Sequence, residues 1–384
     1  MEQGFFADTV FDGEQYHTNV AISVADGEIT QFIPNVQQSD YPKALHLKGL
    51  LAPGLIDVQV NGGGGALFNA QPNFNSIHTI GQAHAQFGTT AFLPTVITDE
   101  IEVMQQAADA VAHALANNQA GVLGIHFEGP HLSVAKKGVH PAQFVREISP
   151  EELAIYARDD LGIKLVTLAP ENVAPKVIKA LVELGVIVCL GHSNADYQTV
   201  QQAIDAGATG FTHLYNAMSP LTSREPGVVG AALVNDDCWC GLIVDGHHVH
   251  PVAAKVALKS KPQGKMMLVT DAMPPVGMSE DASFELFGTQ VIRQGDRLNA
   301  PSGELAGCVL DMIGAVNNSV DMLGVSEAEA LRMASLYPAQ FMNLTNYGRL
   351  KVGLQASWVV LDNQRQVCQT WIEGQVVFNQ QLVD

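Results

Sequence analysis

The chain has 384 residues, nearly half of them apolar and only 15% charged, which excludes a disordered polymer and supplies a sizeable core for one large domain or two. No uncharged apolar run approaches the ~18 residues of a membrane helix, so a soluble protein is expected. A formal net charge of −19 argues against nucleic acid and anionic membranes as partners, because both need a basic face; an anionic ligand would need cations gathered locally.

The first residues, "MEQGFFADTVFDGEQ", lack a basic stretch ahead of an apolar one, so a cytoplasmic location is expected. Asp12 and Gly13, then Asp26 and Gly27, stand between β-prone runs and predict hairpins. From Leu50 one pattern recurs, a short Val-, Ile-, Leu- and Ala-rich run that ends in Asp, Glu, His or Asn beside Gly or Pro and leads into a helical segment. Eight runs fit: "LLAPGLIDVQVNG", "TTAFLPTV", "GVLGIHFEG", "IKLVTLAPE", "GVIVCLGHS", "ATGFTHLYN", "WCGLIVDG" and "KMMLVTDAM". Continuous apolar runs mark strands buried on both faces, and alternation with helices implies parallel crossovers. The segments "EIEVMQQAADAVAHALANN", "PKVIKALVELG" and "DYQTVQQAIDAG" carry apolar residues at helical spacing. Eight such units predict an α/β fold, a (β/α)8 TIM-like barrel, with a doubly wound open sheet as the alternative.

Residues 278–307 read as a β-hairpin insertion before the last helix, and the C-terminal "ASWVVLDNQRQVCQTWIEGQVVFNQQ" is again β-rich. The expected division is a small β-sandwich domain from both termini, residues 1–50 with 347–384, flanking a catalytic barrel over 51–346. Five cysteines with only a C-x-C pair suggest neither a disulfide framework nor a zinc ribbon.

Strand ends of such a barrel meet at one mouth. There Glu128, His192, His213 and Asp271 would end the third, fifth, sixth and eighth runs. One carboxylate and two imidazoles suit a divalent ion such as Zn²⁺ with a position left for water, and Asp271 could shuttle the proton. Taken singly, each histidine is more often a hydrogen-bonded structural residue, and Glu128 could cap a helix or pair in a loop; the coincidence of the set favours chemistry. His126 and His131, which flank Glu128 in "GIHFEGPHL", raise the same question.

The strings "APGLIDVQVNG", "GIHFEGPHL", "KKGVH", "LGHSNA", "THLYNAM", "REPGVVGAAL", "DGHHVH" and "LVTDAM" closely resemble bacterial N-acetylglucosamine-6-phosphate deacetylases of the amidohydrolase superfamily. The resemblance implies that Glu128, His192 and His213 bind the metal, that Asp271 is the acid/base and that His140 polarises the acetamide carbonyl. It further implies that Asn216, Ala217, Arg224 and His248 hold the sugar phosphate, in a homodimer whose neighbouring subunit reaches that site. The substrate would be a phosphorylated N-acetyl amino sugar, and a dianionic phosphate fits the demand for local cations. For Arg224 the plainer reading is a salt bridge with Glu225, and Lys136 and Lys137 read as solvated loop charges. His247, His248 and His250 crowd one loop, and spacing alone does not choose among them.

Many amidohydrolases carry a His-x-His pair at the end of strand one; here Gln59 and Asn61 stand there. Amides are poor zinc ligands, so one metal is expected rather than two. Zn²⁺ is the first expectation, while Fe²⁺, Co²⁺ and Mn²⁺ suit similar sites. The alternatives are a deacetylase of N-acetylgalactosamine 6-phosphate, or of both epimers, and a non-catalytic barrel that kept the fold.

Overall fold

A computed structural model describes residues 2–300, 303 and 305–380. The ends of the expected β domain, residue 1 and residues 381–384, and residues 301, 302 and 304 of the expected insertion lie outside the described residues.

All eight apolar runs form strands of one parallel sheet. In spatial order they are Leu55–Val60, Thr89–Ile97, Gly124–Glu128, Ile163–Leu168, Val186–Leu190, Gly210–Phe211, Trp239–Leu242 and Met266–Leu268. Every residue of the first three is buried, as expected for strands covered on both faces. Beyond the last strand the chain returns to the first: Asp271 N donates to Gln59 O at 3.1 Å and Asn61 N to Ala272 O at 3.0 Å. A parallel bridge between Val60 and Ala272 joins the same edges, and the sheet closes into a barrel. Helices cover it. In Ile101–Ala116, Met104, Ala107, Ala108 and Val111 are buried at the spacing of one helix face. Asp196 caps Tyr197–Asp205 by accepting from Thr199 N.

Both termini build a second, seven-stranded sheet. Gln3–Phe11 pairs in parallel with Leu45–Pro53, and antiparallel partners extend the sheet on both sides. The Asp26–Gly27 turn has φ of 51° and 81°, the left-handed pair that a tight hairpin requires. The sheet has its own core, which includes Phe5, Val20, Ile22, Leu51, Trp358 and Trp371. Thr370 Oγ1 donates to Ala85 O at 2.7 Å, tying this unit to the barrel helix Phe74–Ala85.

The insertion is larger than the single hairpin expected. Four antiparallel strands, Ser283–Leu286, Thr289–Gln294, Arg297–Asn299 and Leu305–Cys308, form a small sheet. Leu286, Val291, Leu298 and Ala306 of that sheet pack on Leu67, Ile97 and Met273 at the barrel mouth. The physical reason is the short third strand: Arg297–Asn299 carries one buried apolar residue, Leu298, too weak a pattern to read as a strand from sequence.

Candidate active site

A cavity of about 270 Å³ opens at the C-terminal ends of the barrel strands, with Glu128, His140, His192, His213, His248 and Asp271 among its walls. Glu128 is the last residue of its strand, and the two histidines stand two residues beyond theirs. Their polar atoms converge. Glu128 Oε1 lies 3.1 Å from His192 Nε2 and 2.9 Å from His213 Nε2, and the two nitrogens are 3.0 Å apart. A tetrahedral ion bound at about 2.0–2.1 Å would set its ligand nitrogens roughly 3.3 Å apart, close to that spacing.

The ring chemistry agrees with a cation between them. His192 Nδ1 donates to Lys136 O at 2.9 Å, so the neutral ring carries its lone pair on Nε2, aimed at Glu128 and His213. With both rings deprotonated at Nε2, two lone pairs and a carboxylate would face one buried point and repel unless a positive charge, a proton or a metal ion, stands between them. Burial opposes ionisation of Glu128, yet hydrogen bonds from His192 and His213 hold its carboxyl well below the ordinary range. Burial likewise disfavours a proton on His213, but Glu128 outweighs it and the net shift is upward. In the apo arrangement protons take the place that a divalent ion would fill.

Asp271 stands beside this group. Asn61 Nδ2 donates to Asp271 Oδ1 at 2.6 Å, and Gln59 Nε2 reaches both Asp271 Oδ1 at 3.2 Å and Glu128 Oε1 at 3.1 Å. The two amides at the end of the first barrel strand thus bind carboxylates. Burial first, and then the Glu128 carboxylate, push the Asp271 carboxyl up to about 6. The backbone is strained here: φ is 47° at His192, 32° at His213, 50° at Ala217 and 53° at Asp271, positive values that non-glycine residues adopt at a cost of order 1–3 kcal/mol each. Gly307 lets the insertion come close, because a Cβ there would meet Met273 Cγ at 2.4 Å and Asp271 O at 3.0 Å.

His140 comes from the loop after the third strand. Its ring is 4.4 Å, centroid to centroid, from that of His192, and with Glu128 and His192 it brings ligand atoms within 4.8 Å. His140 Nδ1 is 2.8 Å from Thr98 Oγ1, which also lies 3.3 Å from Glu128 O. Thr98 has one proton and donates it to the Glu128 carbonyl, so its oxygen can accept from His140 Nδ1. Burial keeps this imidazole neutral, its value lowered to about 3. The loop is fixed by Arg146, which donates to Glu152 at 2.6 Å and to Asp99 O at 2.7 Å.

Asn216, Ala217 and His248 line the cavity, but Arg224 does not. It is exposed on the loop before helix Gly227–Val234, and the alternative pairing with Glu225 is not found. Glu225 Oε1 accepts instead from Tyr197 N at 2.8 Å and Gly227 N at 2.9 Å. The crowded histidines sort themselves out. His248 faces the cavity, His247 meets Asp296 at 2.7 Å on the insertion, and His250 caps helix Pro251–Ser260. Asp245, His248 and Cys308 also bring ligand atoms within 4.8 Å. Burial pushes the Cys308 thiol well up and it donates to Thr270 O, so it stands as a thiol rather than a metal-binding thiolate.

The flanking histidines of Glu128 are structural. His126 bonds Val58 O at 2.9 Å and Thr167 Oγ1 at 2.8 Å, and His131 bonds Arg146 O at 3.1 Å and Tyr156 Oη at 3.0 Å. Sequence reasoning passed over Thr98, whose strand reads as pure core, and Asp245, whose place ahead of "GHHVH" at a strand end was the available signal.

The amidohydrolase family matches residues 50–377. An N-acetylgalactosamine-6-phosphate deacetylase of Shewanella sp. (strain ANA-3) is 50% identical over 361 residues, 93% of this chain and 91% of that protein. An N-acetylglucosamine-6-phosphate deacetylase of Haemophilus influenzae is 35% identical over 356 residues, 91% of this chain and 93% of that one. The crystal structure of N-acetylglucosamine-6-phosphate deacetylase from Pasteurella multocida matches with a TM-score of 0.92 at 35% identity, covering 98% of this chain and 99% of its own.

Proposed function

The chain belongs to the amidohydrolase family, and from that premise we propose that it is a metal-dependent deacetylase converting N-acetylglucosamine 6-phosphate and water into glucosamine 6-phosphate and acetate. The observation that carries the reading is the convergence of Glu128 Oε1, His192 Nε2 and His213 Nε2 within 3.1 Å of one another, beside Asp271, in a cavity at the strand ends.

Glu128, His192 and His213 would hold one divalent ion, Zn²⁺ in the first place, with Fe²⁺, Co²⁺ or Mn²⁺ as other occupants of the same N/O set. When bound, such an ion supplies Lewis acidity toward the acetamide carbonyl and toward water. Asp271, with a carboxyl near 6, takes the proton of the attacking water and gives it to the amine as the C–N bond breaks. His140 would polarise the carbonyl oxygen as negative charge develops on it, a role that asks for its proton on Nε2 when substrate is bound. Asn61 and Gln59 keep the Asp271 carboxylate oriented.

His248, Asn216 and Ala217 take the sugar phosphate together with Arg224. Because Arg224 lies on an exposed loop outside this cavity, its role fits a homodimer in which the neighbouring subunit completes the phosphate site. No helix among the described residues is long and apolar enough to cross a membrane; the cytoplasmic location proposed here rests on the N-terminal sequence.

The galacto epimer is the second reading, favoured by the 50% identity to an N-acetylgalactosamine-6-phosphate deacetylase. A non-catalytic barrel would have no cause to keep Glu128, His192, His213 and Asp271 together. Acetate release is to be measured on the 6-phosphates of N-acetylglucosamine and N-acetylgalactosamine, with unphosphorylated N-acetylglucosamine as control. Turnover of the gluco phosphate above the other two supports the proposal, preference for the galacto phosphate supports the second reading, and equal turnover without phosphate refutes the phosphate site.

A further inference from the structure

Among His247, His248 and His250, only His248 is aimed into the cavity, and the reason is Asp245. This aspartate follows the seventh barrel strand, Trp239–Leu242, by three residues. It uses both carboxylate oxygens on one turn of chain: Oδ1 accepts from His247 N and His248 N, each at 2.8 Å, and Oδ2 accepts from His248 Nδ1 at 2.6 Å. The paired side chains of His248 and Asp245 are only 9% and 6% exposed, so solvent does little to loosen the bond. Burial opposes the Asp245 charge, yet His248 and the two backbone donors hold its carboxyl down at about 2.

We propose that Asp245 is a positioning residue, whose carboxylate keeps a proton on His248 Nδ1 and thereby presents Nε2 to the phosphorylated sugar. The inference rests on the deacetylase reading, in which His248 contacts that sugar. The backbone bonds to Oδ1 fix the turn and the bond from Oδ2 fixes the ring, so one side chain sets both the place and the rotation of the imidazole. An amide in its place could still accept from the turn's N–H groups, but would offer Nδ1 a donor where an acceptor is needed. The ring then loses its orientation or changes tautomer, while the fold keeps its turn.

The test is a double-mutant cycle on the full-length, metal-loaded enzyme with N-acetylglucosamine 6-phosphate. Asp245→Asn should raise KM roughly 10- to 100-fold, the worth of a hydrogen bond to a charged group, with kcat and melting temperature little changed. On a His248→Ala background the same change should add nothing, because the residue it acts through is gone. An unchanged KM, or equal losses in both backgrounds with a lowered melting temperature, would overturn the inference and leave Asp245 a turn residue. Asp245→Ser, which keeps an acceptor for the turn, serves if the first variant does not fold. Wild-type protein without turnover would sink the deacetylase reading itself. Nitrogen-15 spectra of labelled histidine then decide the pair: the His248 Nδ1 proton must be present in wild type and lost in Asp245→Asn.

Discussion

The terminal sheet and the barrel mouth obey opposite rules. In the sheet local preference and fold agree: Asp26–Gly27 occupies a turn that needs positive φ, and Phe5 meets Trp358 and Trp371 edge-on at 5.0 and 5.1 Å in an apolar core. In the mouth the preferences are broken together. His192, His213, Ala217 and Asp271 take left-handed backbone, the carboxyls of Glu128 and Asp57 are buried and that of Asp271 half-buried, and His213 Nδ1 and Asn61 Oδ1 have no hydrogen-bond partner among the described residues. Such features are costly, and the mouth gathers them around one group of polar side chains, whereas the sheet's own exceptions, positive φ at turn residues such as Asn35 and Glu373 and an unpartnered Trp358 Nε1, lie scattered.

The contrast breaks most sharply at Asp271. Asp271→Asn is expected to lower turnover by roughly 10²- to 10⁴-fold, the range of a lost general acid/base, with metal content and melting temperature held. A drop in melting temperature of the same rank would mean that the mouth carries stability after all.

Trp358→Ala tests the other region. Trp358 is fully buried, and removing it is expected to cost about 3–5 kcal/mol in denaturant unfolding while the folded fraction keeps its kcat. Loss of kcat in protein that remains folded would show that the sheet sets the active-site geometry.

Asp57 lies between the two, beneath the mouth, with Oδ2 accepting from Thr270 Oγ1 at 2.5 Å. Burial pushes its carboxyl up to about 7. The folded value is above that of an unfolded carboxyl, so folding takes up a proton between about pH 4 and 7 and stability falls as pH rises through that window. Asp57→Asn, which mimics the protonated form, should flatten this fall, a difference on the order of 1 kcal/mol per pH unit in unfolding free energy. An unchanged pH slope would remove Asp57 as its source.

The smallest effect is expected at Arg224, which lies outside the cavity. Arg224→Ala should raise KM for the sugar phosphate by roughly tenfold or more with kcat nearly unchanged, and leave the unphosphorylated sugar unaffected. A loss shared by both sugars would assign Arg224 to structure.

The eight barrel strands were legible because continuous apolar runs report burial on both faces directly, down to Gly210–Phe211, where only two residues form the strand. Glu128, His192, His213 and Asp271 were legible for a related reason, since a polar residue closing a buried run stands at the mouth of a barrel. The Asp245–His248 bond, the Thr98–His140 contact and the exposure of Arg224 were not, because they depend on distances within and between loops that no periodicity encodes. His126 illustrates the limit: in sequence it looks as eligible as His192, and only its two satisfied ring nitrogens set it apart.

The most direct measurement is anomalous X-ray diffraction from crystals of the metal-loaded protein. One peak is expected within bonding distance of Glu128, His192 and His213, adjacent to Asp271 and absent from crystals of His213→Ala. Fully loaded protein whose anomalous signal lies elsewhere, or whose peak survives His213→Ala unchanged, would contradict the site.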